Sequence, residues 1–342
     1  MENKNNKTNK KKIWPWIAVI AVVIVAAAVG LIVAKVTTNK GNSSIPQSQT
    51  GADVDESDWG NRLTYKGKNY RRNENIKTVL FLGVDRDSAV EIPQNENGAG
   101  QIGNGGRSDA IILFLINDET QTTTMLTVSR DTMTEVDVYD IKGDYAFSGE
   151  MQINMQHAFG DSPSKSLNLT KRTVSELLYG IRIDGALSLT MDGIRKVVDL
   201  VDGITLTMPE DYSYIDERYT EGATLTLDGE EMEHFIRYRD TNESGSNEER
   251  VRRQTWLIGA VFQDLKAKGA MTFLQQLIDS NPDYLETDCD AELLKTMSRY
   301  PISDTKYKVP GSVKEGERHD EYYVDEEALQ DLIVELLYVP VD

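Results

Sequence analysis

Arginine side chains are concentrated at a few positions of this acidic chain, which has 342 residues and a formal net charge of −19. The triplets Arg107-Ser108-Asp109 and Ser129-Arg130-Asp131 each place an arginine close to an aspartate. Another group of arginines stands between positions 237 and 253, namely Arg237, Arg239, Arg250, Arg252 and Arg253. A guanidinium group binds phosphate oxygens through two parallel hydrogen bonds, so these local clusters indicate a phosphorylated ligand. A nucleic-acid-binding surface would instead be broadly basic.

Two aspartates stand at the ends of predicted strands. Asp85 follows an apolar run at residues 78–82, and Asp109 precedes another at residues 110–116. If these strands are adjacent and antiparallel, both carboxylates lie at one edge of the sheet, where ligands commonly bind in α/β folds. Two carboxylates together with phosphate oxygens and water would suit Mg²⁺. The alternative is that Asp85 and Asp109 are only turn or capping residues, a common role of aspartate.

The direction of the other arginines depends on the elements that carry them. Arg237 and Arg239 would point in opposed directions on one helix, so they converge only if the helix ends near Arg237. Arg250 and Arg253 are three residues apart and share a helix face, and Gln254 follows Arg250 by four residues. The alternative to a ligand-binding role is that this face is basic and simply exposed to solvent.

Arg130 follows a predicted strand at residues 122–129 and therefore projects from the end of that strand. Its alternative role is an ordinary surface ion pair with Asp131, which would contribute about 0–1 kcal/mol to stability.

The elements that must position these residues follow from hydrophobic periodicity and turn-forming residues. Residues 111–116 are apolar throughout, as expected for a strand covered on both faces. A hairpin with its turn at Lys66-Gly67 is predicted at residues 63–70, and a further strand at 135–139. Helices are predicted at residues 164–179, 191–201, 229–237, 248–268, 271–279, 291–299 and 325–337. This mixture predicts an α/β/α sandwich around a central mixed sheet.

The N-terminal region predicts a single transmembrane helix. Residues 1–12 are rich in lysine, and residues 13–34 form an uncharged apolar run with Trp14 and Trp16 near its start. About 20 apolar residues span a bilayer, and lysines on the N-terminal side place that end in the cytosol. The alternative is a cleaved signal peptide, whose apolar region is usually shorter.

The rest of the chain is then expected outside the membrane. Residues 35–62 predict a flexible extracellular linker, and residues 63–342 an extracytoplasmic domain. Its motif-bearing core would span 77–268, with a C-terminal helical completion at 269–342. Residues 91–106 are rich in glycine and predict a long mobile loop that could act as a flap. Cys289 is the single cysteine, which excludes an intrachain disulfide.

Eight short motifs occur in an order that resembles the LytR–CpsA–Psr family, and the resemblance covers residues 77–268. The motifs are Gly83-x-Asp85, Gly106-Arg107-Ser108-Asp109, Ser129-Arg130-Asp131-Thr132, Ile153-Asn154 with His157-Ala158-Phe159-Gly160, Asp202-Gly203-Ile204, Leu227-Asp228-Gly229-Glu230, Ile236-Arg237-Tyr238-Arg239-Asp240 and Arg250-x-x-Arg253-Gln254.

This resemblance implies an enzyme anchored in the cell membrane, with its catalytic domain outside, that moves a phosphoglycan such as teichoic acid or capsule from a polyprenyl pyrophosphate carrier to peptidoglycan. It implies Mg²⁺ as cofactor, with Asp85 and Asp109 as metal ligands. The negative net charge of the chain separately disfavours a nucleic-acid partner. Carried onto this chain, the catalytic residues would be Arg107, Arg130, Arg237 and Arg239. The pyrophosphate-binding residues would be Arg107, Arg130, Gln152, Arg237, Arg239, Arg250, Arg253 and Gln254.

The chain departs from the family pattern at three positions. Gln152 replaces a common lysine, Asn247 an aspartate that often precedes Arg250, and Asp87 an arginine that usually follows Asp85. The departures at Gln152 and Asn247 keep one alternative open, a non-catalytic lipid-phosphate binder or wall scaffold. A separate alternative is a phosphatase that hydrolyses the polyprenyl pyrophosphate without a glycan acceptor.

Overall fold

The computed structural model describes residues 61–85, 105–140, 142–238, 246–268, 284–316 and 319–341. The apolar segment 13–34, the helix predicted at 271–279 and nearly all of the loop at 91–106 lie outside this part of the chain. Within the described ranges, no helix is both long and apolar enough to cross a membrane.

A six-stranded mixed sheet forms the centre of the fold. Its strands are β3 (Ile76–Asp85), β4 (Arg107–Asn117), β5 (Thr122–Val128), β8 (Gly185–Thr190), β11 (Leu285–Thr287) and β12 (Ile302–Lys308). They lie in the order β11-β8-β3-β4-β5-β12. The central strand β4 is antiparallel to both β3 and β5, whereas β8 pairs in parallel with β3 and β12 in parallel with β5.

Helices cover both faces of this sheet, and a hydrophobic core lies on each side. The helices are α1 (Pro163–Leu177), α2 (Met191–Leu200), α3 (Gly229–Arg237), α4 (Ser246–Ala267), α5 (Ala291–Met297) and α6 (Glu326–Leu337). On one face, Phe81 and Ile112 share a core with apolar residues of α2, α3 and α4. On the opposite face, Leu80 and Leu113 share a core with residues of α1 and α6. The predicted α/β/α arrangement is therefore confirmed.

Smaller antiparallel sheets flank the central one. They comprise β1 (Arg62–Tyr65), β2 (Lys68–Arg72) and β15 (Tyr338–Pro340); β6 (Met133–Tyr139) and β7 (Tyr145–Gln152); β9 (Ile204–Thr207) and β10 (Thr224–Leu227); and β13 (Gly311–Glu315) and β14 (Asp320–Val324). A 3-10 helix (Ile153–Phe159) follows β7. The predicted hairpin at 63–70 is confirmed as β1 and β2, and Lys66 and Gly67 both adopt positive φ angles, as a tight hairpin turn requires.

The ends of helix α3 are well defined, which matters because it carries Arg237. Asp228 accepts a hydrogen bond from the Glu231 backbone N–H, and the Glu231 carboxylate accepts one from the Asp228 backbone N–H, which completes a capping box. At the other end, Tyr238 has an extended backbone with φ −55° and ψ 131°. The helix therefore ends at Arg237, as predicted.

Candidate functional site

A β-bulge lies at the edge of the sheet where β3 ends and β4 begins. It turns the side chain of Asp109 towards one face of the sheet. Gly83 pairs with Ala110 and Val84 with Ser108, so Asp109 is an extra residue without a pairing partner on β3. Such a bulge changes the direction of the side chains that follow it. As a result Asp109 and Ala110 line the same cavity as Asp85, while Ser108 is fully buried on the opposite side.

Arg130 connects this edge with the end of β5. Its Nη1 lies 2.7 Å from Oδ2 of Asp109, and its Nε lies 3.4 Å from Oδ1 of Asp131. The side chains of Arg130 and Asp109 are only 14% and 16% exposed, so this ion pair is better shielded from water than a surface pair. The carboxylates of Asp109 on β4 and of Asp131, the next residue in the chain, therefore hold Arg130 beside the cavity.

The 3-10 helix fixes the backbone on both sides of these residues. Nδ1 of His157 lies 2.9 Å from the carbonyl oxygen of Gly105. The Asn154 backbone N–H donates to the carbonyl of Arg130, and the Asn154 carbonyl accepts a hydrogen bond from Ser108. A side chain at Gly105 would come within 2.3 Å of the His157 carbonyl oxygen, so only glycine permits this close approach. The segments that lead into Arg107 and Arg130 are therefore tied to one support.

Arg237 reaches the same region from helix α3. Its Nε lies 3.0 Å from Oε1 of Glu233, and the other oxygen of Glu233 lies 3.0 Å from Nη1 of Arg195 on α2. Glu233 is thus shared by two guanidinium groups on neighbouring helices. Because the Arg237 side chain is 40% exposed and lines the cavity, Glu233 orients it without burying it.

Helix α4 contributes Gln254, whose Nε2 donates to the Ile236 carbonyl at 3.2 Å. Arg253 is almost fully buried and donates to the Tyr238 carbonyl, and its Nη1 lies 3.4 Å from Glu249. These contacts join α4 to the residues on either side of Arg237. Gln254 lines the cavity, whereas Arg253 supports its wall from behind.

Together these elements enclose a polar cavity of about 200 Å³. Its polar residues come from the ends of β3 and β4 and from α3 and α4, namely Asp85, Asp109, Arg237 and Gln254. The remaining wall is mostly apolar and includes Phe81, Met191 and Leu257. Two carboxylates, an arginine and an amide thus converge on one space, as expected for a site that binds phosphate with a metal ion.

A second, apolar cavity of about 40 Å³ lies next to the polar cavity, between the sheet and helices α2 and α4. The two cavities share wall residues, namely Phe81, Ile194, Ile236, Leu257 and Ile258. The apolar cavity continues along the sheet as far as Phe262, Leu265 and Leu285. A ligand with a charged head and a hydrocarbon tail would match this succession of polar and apolar walls.

Comparison with known proteins decides the family. Residues 33–335 match the model of the LytR_cpsA_psr family. The chain belongs to this family. The polyisoprenyl-teichoic acid–peptidoglycan teichoic acid transferase TagU of Oceanobacillus iheyensis is 27% identical over 301 residues, covering 86% of this chain and 83% of that protein. The protein with the same description from Bacillus subtilis is 26% identical over 265 residues, covering 76% of each chain.

A solved structure confirms the likeness of fold. The crystal structure of B. subtilis TagU superposes with a TM-score of 0.55 at 22% identity and covers 77% of this chain and 96% of that one. The mixed sheet and its helical layers are therefore shared with members of the LytR_cpsA_psr family.

Arg107 and Gln152 are also predicted site residues, and their surroundings differ from each other. The alternation of β4 places Arg107 on the same side as Asp109, and its Cα is opposite Asp85. Gln152 is buried and donates to Oδ1 of Asp131 and to the carbonyl of Asp320. The same oxygen of Asp131 lies 3.4 Å from Nε of Arg130. Arg239 lies outside the described residues, as does the side chain of Arg250.

Asp85 and Asp109 are the carboxylates that could hold Mg²⁺ in the polar cavity. Across the residues that the structure describes, no three His, Cys, Asp or Glu side chains come together as a metal-binding cluster. Asp85 and Asp109 nevertheless line one cavity, and Mg²⁺ in phosphoryl-transfer enzymes commonly takes one or two carboxylates and completes its shell with phosphate oxygens and water. The pair therefore fits a magnesium ion that binds together with a phosphorylated ligand.

Two residues that support the site, His157 and Glu233, are missing from the site predicted from the sequence. The contact from His157 to Gly105 joins positions 52 residues apart, so local patterns do not reveal it. The pair of Glu233 and Arg237 does have a local signal, because an acidic residue four positions before an arginine on a helix favours an ion pair.

Proposed function

We propose that the protein is a membrane-anchored, Mg²⁺-dependent phosphotransferase that moves a phosphoglycan from a polyprenyl pyrophosphate carrier to peptidoglycan. Membership of the LytR_cpsA_psr family and the description of its TagU relatives as polyisoprenyl-teichoic acid–peptidoglycan teichoic acid transferases support this function.

The observation that carries the proposal is the contact between the polar and the apolar cavity. Asp85, Asp109 and Arg237 surround the space where a pyrophosphate would bind, and the shared walls lead directly to apolar side chains of the core. The apolar cavity of about 40 Å³ has room for only a few water-sized groups, so its walls would have to move apart to admit a prenyl chain. A chain bound there would hold the pyrophosphate beside the carboxylates and Arg237.

The reaction is a substitution at phosphorus. An acceptor hydroxyl attacks the phosphorus that bears the glycan, the bond from that phosphorus to the bridging oxygen breaks, and its electron pair leaves with the prenyl monophosphate. The hydroxyl loses one proton, and the glycan becomes joined to peptidoglycan through a phosphodiester. Arg237 and Arg130 would stabilise negative charge on the phosphate oxygens. When bound, Mg²⁺ held by Asp85 and Asp109 would neutralise further charge.

The test is a reaction of the full-length protein in detergent with a lipid-linked glycan, peptidoglycan strands and Mg²⁺. We expect two products in equal amounts, glycosylated peptidoglycan and prenyl monophosphate. Release of prenyl phosphate without glycan transfer would support the phosphatase alternative, and binding of donor without turnover would support the non-catalytic alternative.

The matched variants are Arg237→Ala and Arg299→Ala. Both arginines are about 40% exposed, but Arg299 contacts Asp118 and Glu292 and does not line the polar cavity. Arg237→Ala should abolish transfer and Arg299→Ala should retain it. Equal activity of the two variants would contradict the assignment of the polar cavity as the reaction site.

A further inference from the structure

A third and larger cavity lies beside the loop that carries Arg130. Its volume is about 570 Å³, which is within the usual range of about 300–1,000 Å³ for ligand sites. It is bounded by the end of β5, the loop after β9, helix α4, strand β12 and the hairpin of β13 and β14. We refer to it as the hairpin cavity. Among the predicted pyrophosphate and metal residues whose side chains the structure describes, none lines it.

The walls of the hairpin cavity combine aromatic rings with hydroxyl and carboxylate groups. Trp256 and Tyr307 contribute partly exposed rings, and Thr127 and Ser129 contribute hydroxyl groups. A sugar ring has an apolar C–H face, which an aromatic ring can cover, and a rim of hydroxyls that both donate and accept hydrogen bonds. This lining is therefore suited to a saccharide.

The charges of the hairpin cavity differ from those expected for a phosphate site. Its acidic and basic residues are equal in number, namely Asp131, Glu210, Asp320, Arg252, Lys306 and Lys308. One acidic and one basic member already form a pair, since Nη2 of Arg252 lies 2.8 Å from Oε2 of Glu210. A balanced lining of this kind favours a neutral or zwitterionic ligand over a polyphosphate.

Arg130 links the hairpin cavity to the polar cavity. Its Nη1 contacts Asp109, which lines the polar cavity, and its Nε contacts Asp131, which lines the hairpin cavity. Helix α4 likewise contributes Gln254 to the first cavity and Trp256 to the second. Arg130 is thus in contact with one carboxylate from the wall of each cavity.

The hairpin of β13 and β14 is joined to the Arg130 loop by its backbone. The Tyr322 N–H donates to the Asp131 carbonyl at 2.9 Å, and Thr132 forms an isolated bridge with Tyr322. Gln152 strengthens this junction, because its amide donates both to Asp131 and to the Asp320 carbonyl. The wall of the cavity is therefore a fixed part of the loop that positions Arg130.

We infer that the hairpin cavity binds the saccharide strand of the peptidoglycan acceptor and presents its hydroxyl to the phosphorus in the polar cavity. This inference rests on the proposed function, because that function supplies the glycan acceptor. The attacking hydroxyl would approach from the Arg130 side, while the prenyl phosphate leaves towards the apolar cavity. Gln152, in this assignment, connects the acceptor wall to Asp131 and does not bind pyrophosphate itself.

The test uses variants at exposed positions of the hairpin, so that the fold is preserved. Val313 is 46% exposed and lines the cavity, and Val313→Arg would fill its mouth. Val341 is 36% exposed, lies outside the cavity, and gives the matched control Val341→Arg. Asp320→Ala is a second variant that removes a carboxylate from the wall without adding bulk.

Two measurements on the full-length protein in detergent distinguish the outcomes. The first is the KM for uncrosslinked peptidoglycan strands at saturating donor, and the second is the Kd for the lipid-linked donor alone. Val313→Arg should raise the acceptor KM at least tenfold, Asp320→Ala should raise it several-fold, and neither should change the donor Kd. Val341→Arg should match the wild type in both.

Unchanged acceptor KM in both Val313→Arg and Asp320→Ala would overturn the assignment. Direct binding of glycan strands without donor separates this result from failure of the proposed function. If the wild type transfers no phosphoglycan, the proposed function fails; strand binding that is lost in Val313→Arg would still support a saccharide site in the hairpin cavity.

Discussion

At the scale of single residues, the site depends on guanidinium groups whose orientation is fixed by carboxylates. Glu233 contacts Nε of Arg237, and Asp109 and Asp131 contact Arg130. A guanidinium group oriented in this way can offer two parallel donors to a phosphate, which an ammonium group cannot do. If these residues bind a phosphate, we therefore expect lysine to be a poor replacement for either arginine.

Arg237→Lys is expected to lower kcat/KM roughly 10- to 100-fold, because the loss of one hydrogen bond between charged groups costs about 1.5–3 kcal/mol. The melting temperature should not change, since the side chain is partly exposed. Steady-state kinetics of Arg237→Lys beside Arg299→Lys provide the comparison. A fully active Arg237→Lys enzyme would show that bidentate binding is not required.

Cys289 is a second residue whose chemistry is set by its surroundings. Burial raises the pKa of its thiol to about 11, from the ordinary value of 9.0, and its Sγ lies 3.6 Å from the carbonyl oxygen of Ala186. Because only the thiolate is alkylated, this shift alone lowers the reactive fraction at pH 8 by about 100-fold. The residue is therefore expected to be inert at neutral pH.

Alkylation with iodoacetamide at pH 8 should be about 100-fold slower in the folded protein than in urea, and the folded rate should reach half its maximum near pH 11. The unfolded rate should reach half its maximum near pH 9, where half of the unshifted thiol is ionised. Mass spectrometry of timed samples measures both. Equal rates in the two states at pH 8 would contradict the raised pKa.

At the scale of secondary-structure elements, β2 contains an unusual buried charge. Arg72 is 1% exposed, and no described residue accepts a hydrogen bond from its three guanidinium nitrogens. Burial lowers the pKa of the Arg72 guanidinium group, although Asp184 and Glu74 act in the opposite direction. Arg71, its neighbour on the same strand, is exposed and serves as a matched position.

Arg72→Met should raise the free energy of unfolding by about 1–3 kcal/mol, because an unpaired buried charge is replaced by an apolar chain of similar length. Arg71→Met should change it by less than about 0.5 kcal/mol. Urea unfolding of both variants followed by circular dichroism gives the two values. Destabilisation of Arg72→Met would mean that the guanidinium group has a stabilising partner.

The six described helices and strands β1 to β6 could be predicted from the sequence because their signals are local, whereas β7 to β15 were not predicted. The segment 269–342, predicted as a helical completion, also contributes β11 and β12 to the central sheet. Helix α3 begins at a capping box and ends beside the extended Tyr238, and the apolar run of β4 indicates a strand covered on both faces. The bulge at Asp109 could not be predicted in this way, since it arises from the register between β3 and β4. Nor could the apolar cavity, whose walls come from strands and helices far apart in sequence.

At the scale of the whole molecule, the polar cavity is assembled from segments that lie far apart in the chain. β3 contributes Asp85, β4 contributes Asp109, and helices α3 and α4 contribute Arg237 and Gln254. Asp109 lines the cavity and also contacts Nη1 of Arg130. Loss of charge at Asp109 should therefore affect the position of Arg130 together with any metal that the two aspartates hold.

Asp85→Asn is accordingly expected to raise the Mg²⁺ concentration for half-maximal transfer at least tenfold, with activity partly restored by excess Mg²⁺, because a neutral amide is a weaker ligand for a hard cation. Asp109→Asn should lower kcat more severely and should not recover with excess Mg²⁺, since the ion pair that orients Arg130 is also lost. Initial rates across a magnesium titration, with Asp118→Asn as the control carboxylate that pairs with Arg299 outside the cavity, distinguish the two effects. Transfer that continues at its full rate in a strong chelator would show that the carboxylates act without a divalent cation.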